Sequence, residues 1–197
     1  MFVTKGVGIN INQHNQKMMR YLVLLFMLAL TLISSSAQSV LGIPFGSSYD
    51  ETKSALQNRF GKYAVHEEGG LLKLMDFEMG GFLFNFGDFE FQYGNNKTYL
   101  NAADFQRYYP VSEKDQAIKE RDYLYSLLME KYEDEYLEEF KNEQGFKCYK
   151  FGLNPFDSTK VLGVITLERG LSREGKEKLY LHLTYFPIYY LDKSSDF

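Results

Sequence analysis

Apolar and polar positions along this chain repeat with two different periods. The change of period marks where helices and strands should give way to one another. Tyr49, Thr52, Leu56 and Phe60 recur every three or four residues, which puts them on one face of a helix of about three turns. Ser48 followed three residues later by Glu51 forms a capping box for its start, and Gly61 supplies the stop. The period then shortens to two. Residues 71–77 (LLKLMDF) read as extended, and the stretch 80–93 (GGFLFNFGDFEFQY) alternates rings with other residues. Gly87-Asp88 divides that stretch and predicts a tight hairpin that sets Phe86 against Phe89, Phe84 against Phe91 and Phe82 against Tyr93. All six rings then share one buried side, with Leu83, Asn85, Glu90 and Gln92 on the other. A looser loop over residues 85–88 would shift that register. Residues 94–97 (GNNK) read as the next turn and 98–109 as the next strand, ended by Pro110.

A second helix is predicted from Ser112, with Asp115 as a weaker capping partner. Its apolar stripe is Ala117, Ile118, Leu124, Tyr125, Leu128 and Tyr132, with Arg121 in the middle. Arg121 is read as packing its alkyl stem inward while its guanidinium reaches solvent or an acid, or else as an anion or partner contact. The acidic stretch 133–144 lacks the spacing of a calcium loop and reads as a helix extension or a solvated connection. Three strands follow, at 146–151, 161–168 and 178–186, the last two joined by a long hairpin. In the last strand Leu179, Leu181, Leu183 and Tyr185 share a side, so His182 points away from them. The expected fold is α+β: two helix-then-antiparallel-sheet units, residues 41–109 and 112–191, with helices packed on one face of the sheet.

The N-terminal segment changes this picture. Lys17 and Arg20 precede the apolar run 21–33, and Ser35-Ser36-Ala37 follows. That is the order of a secretory signal, with cleavage expected before Gln38 and translation starting at Met1 or at Met18 or Met19. The run is shorter than the ~20 residues of a bilayer-spanning helix. Residues 38–197 are then the mature part, in the periplasm or secreted. Residues 1–37 hold three basic residues and no acid. Of the 22 Lys and Arg, 19 therefore remain against 26 Asp and Glu, a net charge of −7 in place of −4. This balance argues against nucleic acid or an anionic membrane as partner. The only cysteine, Cys148, is read as a buried structural thiol.

The stretches GIPFGSSYDETKSALQNRFG, FGDFEFQYGNNKTYL and LYSLLMEKYEDEY resemble a class of small exported proteins of Bacteroidota-type bacteria. The tandem helix–sheet layout is also similar to that of β-lactamase inhibitor proteins and related envelope modules. That resemblance implies action by binding. It carries no particular site residue over, and it departs from the inhibitors in lacking a disulfide pair.

The sequence shows no nucleophile elbow, phosphate loop or zinc-helix motif. His66, Glu67 and Glu68 are consecutive in a predicted loop and do not converge as metal ligands should. No catalytic residue, metal or cofactor is therefore assigned. The expectation is a non-enzymatic module that binds an envelope protein or a small apolar ligand. Candidate binding residues are Arg121, Tyr108, Tyr109, Tyr189 and Tyr190, since tyrosine offers a large amphipathic contact. The alternatives are a hydrolase with a carboxylate pair defined only in space, and a carrier holding an apolar ligand between helices and sheet. Asn96-Lys97-Thr98 and Asp157-Ser158-Thr159 match short glycosylation patterns and lie in predicted turns.

Overall fold

The capping box at Ser48 forms in full. The Ser48 hydroxyl accepts from the Glu51 backbone N–H, and the Glu51 carboxylate accepts from the Ser48 backbone N–H at 2.8 Å. Helix α1 (Tyr49–Phe60) follows, with Thr52 and Leu56 as its buried positions. The computed structural model describes residues 38–94, 96–130, 136–154 and 157–187, without the side chains of 153–154 and 157–160. The predicted signal at 1–37, Tyr132, Tyr189 and Tyr190 lie outside the described residues.

The expected α+β class with two helix-then-sheet units does not hold. The described residues are mostly β, 56% of them in strands. Besides a short pair, β1 (Ser39–Val40) with β2 (Ile43–Pro44), eight strands among the described residues form one antiparallel sheet. They are β3 (Val65–Glu68), β4 (Leu71–Met79), β5 (Phe82–Gly94), β6 (Lys97–Pro110), β7 (Leu137–Lys141), β8 (Lys147–Asn154), β9 (Asp157–Leu171) and β10 (Glu177–Tyr185). Their order is β3-β4-β5-β6-β10-β9-β8-β7. The reason for the correction is the β6–β10 seam. Leu179 pairs with Tyr109 and Leu183 with Phe105, and backbone hydrogen bonds there fuse the strands into a single sheet.

Three local expectations also change. Gly87-Asp88 is not a turn but the middle of β5, whose residues 82–89 pair with β4 while 86–94 pair with β6. Residues 65–68 (VHEE) and 137–141 are strands at the sheet edges rather than a loop and a solvated connection. Helix α2 (Lys114–Met129) starts after a 3₁₀ turn at Val111–Glu113 and has no side-chain cap, so the Ser112–Asp115 pair is not its cap.

With β5 continuous, strict alternation would put Phe84 and Gly87 on opposite faces, yet both are buried. The phase of alternation breaks at Asn85, across from Asp76, whose φ is +44°. Asn85 uses its side-chain oxygen to accept the Tyr108 backbone N–H. The break brings Phe77, Phe84, Phe89 and Phe105 into one buried cluster. Phe105 lies 5.5, 5.7 and 5.8 Å from the ring centres of Phe77, Phe84 and Phe89. Both helices pack on this side, α1 against β3 and β6 and α2 against β6, β9 and β10. Phe82, Phe84 and Phe89 are therefore interior, Phe86 lies on the other face, and Tyr93 is exposed. No helix among the described residues is long and apolar enough to cross a membrane.

Candidate functional site

Positions alternate across the sheet, so every residue turned from the helices belongs to one open face. Cross-strand register writes this face as rows. One row runs Lys73, Asp88, Asp104, Thr184. The next runs Met75, Phe86, Gln106, His182, Thr166. A third runs Tyr108, Tyr180, Glu168. The alternation that buries Leu179, Leu181 and Leu183 turns Tyr180, His182 and Thr184 outward.

The centre of this face is a hydrogen-bonded carboxylate. Asp104 accepts from the Thr184 hydroxyl at 2.7 Å and from Gln106 Nε2 at 2.7 Å, and its Oδ2 lies 2.9 Å from His182 Nδ1. Burial alone would raise the Asp104 pKa. The bonds from His182, Thr184 and Gln106 and the imidazolium charge outweigh it and hold the carboxyl below its ordinary range. His182 moves the other way. Burial pulls it down, but Asp104, and Glu168 behind it, raise it above the ordinary 6.5. Its Nε2 is buried without a hydrogen bond, 3.5 Å from the Glu168 carboxylate. Asp88, directly across the ladder from Asp104, is raised. Burial is the largest cause, Lys73 opposes it, and Asp104 and Glu68 add to it.

Beside this network the β9–β10 hairpin overhangs the face and forms a cleft of about 580 Å³. Met75, Phe86, Tyr108 and Tyr180 line it, with Lys73, Asp88 and Lys178 among them and Arg173 and Glu174 on the hairpin. Phe86 and Tyr108 are neighbours, 6.0 Å between ring centres. The Lys178 ammonium sits 3.9 Å from the Tyr108 ring centre.

Of the candidate binding residues that lie among the described residues, Tyr108 alone lines this cleft. Tyr109 faces the helices, is buried, and donates its hydroxyl to Glu120, which with burial pushes its pKa far up. Arg121 is also buried on the helix side. Its Nη1 donates to the Lys147 carbonyl at 2.9 Å, and Nε and Nη2 donate to Asp122. Its guanidinium lies over Tyr149, whose ring stacks on Tyr125 at 3.8 Å. Arg121 thus fastens α2 to β8. Cys148 is buried with its thiol free. Among the described residues no group of His, Cys, Asp and Glu could hold a metal ion. The residues missed were Asp104, Gln106 and Lys178. The one sequence signal for them was that His182 interrupts an apolar row.

Comparison with known proteins returned no match: no family model, no curated protein and no solved structure.

Proposed function

We propose that this chain is an exported, non-enzymatic envelope module that binds another envelope component with the open face of its sheet. The observation that carries this reading is the overhung cleft. Its volume falls within the roughly 300–1,000 Å³ of binding pockets. It combines aromatic and thioether contact area with charges of both signs, the make-up of a recognition surface. The helix side cannot serve in the same way, because its rings are packed against each other.

Installing a photo-crosslinking residue at Tyr108 tests this. Tyr93, exposed and outside the cleft, is the control position. A discrete covalent adduct in the native envelope from position 108 and none from 93 is the expected result. Equal or absent adducts from both positions overturn the reading.

One observation favours the hydrolase alternative. Asp88 and Asp104 face each other with pKa values pushed apart, the arrangement an acid and a base require. Against it, the Asp104 oxygens are already engaged by Thr184, Gln106 and His182. A substrate-hydrolysing activity abolished by Asp88→Asn would decide for this alternative.

A further inference from the structure

The charges around the cleft are not evenly satisfied. Lys73 binds Glu68 at 2.7 Å, and Arg173 approaches the same carboxylate at 3.9 Å. Glu174 is taken by Lys176 at 3.0 Å. Asp88 stands across the ladder from Lys73. Glu68 and Glu174 thus have a cation within ion-pair distance and Asp88 feels the charge of Lys73, but one rim cation, Lys178, stands apart. Among the described residues no carboxylate lies within ion-pair distance of the Lys178 ammonium, whose neighbour is the face of Tyr108. A ring face attracts the ammonium but does not neutralise it, and it shields one side from water. Phe86, whose ring centre lies 6.0 Å from that of Tyr108, and Met75, its partner across the ladder, line the same cleft and are partly open to solvent.

We propose that the cleft takes a segment of a partner protein in which a carboxylate stands next to an apolar side chain. The carboxylate would meet Lys178 from the solvent side, and the apolar group would cover Met75 and Phe86. Partly dehydrating an ammonium favours pairing with an anion and disfavours a neutral amide in its place. A cationic segment would face both Lys178 and Arg173. This inference rests on the binding function proposed above and names its partner's chemistry.

Two peptide probes separate the terms, acetyl-Leu-Glu-Phe-amide and acetyl-Leu-Gln-Phe-amide, titrated against the ¹⁵N-labelled mature chain. The acidic probe should shift the amides of Phe86, Tyr108 and Lys178 and bind about tenfold more tightly than the glutamine probe, one charge-assisted hydrogen bond's difference. Lys178→Gln should erase that preference while the remaining amide spectrum stays native. Equal affinities, shifts confined to other surfaces, no binding of either probe, or a preference that survives Lys178→Gln each overturn the proposal. A crosslink from position 108 combined with any of these results leaves the binding function standing and removes only the acidic-segment inference.

Discussion

Replacing Asp104 by asparagine removes one negative charge at almost constant volume. The three bonds to the carboxylate make the cost calculable. The new side chain can still accept the Thr184 hydroxyl through its oxygen, but its amide nitrogen then faces two donors, Gln106 Nε2 and His182 Nδ1. Breaking a fully buried ion pair from one side costs about 3–5 kcal/mol. Here the two side chains keep 18% and 17% exposure, so a loss of roughly 2–4 kcal/mol is expected below neutral pH. The pH dependence carries a sign. The His182 pKa is raised in the folded chain, so its contribution is complete below 6.5 and is lost as pH rises through the folded value. Asp104 is lowered, so its share is present above 3.8 and is lost only as pH falls through its folded value. Without the Asp104 charge, burial of His182 is opposed only by Glu168, and its titration should fall. Urea unfolding of both proteins at about pH 5.5 and about pH 9 should therefore give a stability difference that shrinks at the higher pH. The imidazole resonances of His182 should titrate at lower pH in the variant. A difference independent of pH, or an unmoved His182 titration, would refute the reasoning.

Two further outcomes are expected. Gly163→Ala should destabilise the chain by about 1–3 kcal/mol or more, because a Cβ there collides with the Thr184 carbonyl oxygen and the Phe151 ring; thermal unfolding measures it. Ser48→Ala should cost about 1 kcal/mol by denaturant unfolding and leave the amides of the open face unshifted, since it removes one half of the capping box of α1.

The elements that local chemistry dictates were legible. The capping box and the Thr52–Leu56 face gave α1, and the alternation from Leu179 to Leu183 gave β10 and turned His182 outward. Gly87 misled because a glycine beside an aspartate reads as a turn. It is there for packing: a Cβ would stand 2.9 Å from the Phe77 ring and 3.0 Å from Phe105. The phase break at Asn85 is accompanied by a bond to Tyr108 that no short-range pattern announces. The site was hidden for a related reason. His182 meets Asp104 only because β10 pairs with β6, and contacts between remote segments leave no periodic trace in either. Arg121 stood out as a charge within an apolar stripe, and both its stem and its guanidinium turn out to be spent inside.

The seam between β6 and β10 governs how this protein is built. The first strands pair with their neighbours in sequence, but β6 finds its second neighbour only in β10, the last described strand. Assembly that depends on so late a contact is slow and leaves a sticky border open in the interim. A chain shortened before Glu177 would lose more than its end. It would forfeit the keystone, the strand that pairs the two halves of the sheet, and with it His182 and Thr184, two of the three donors around Asp104.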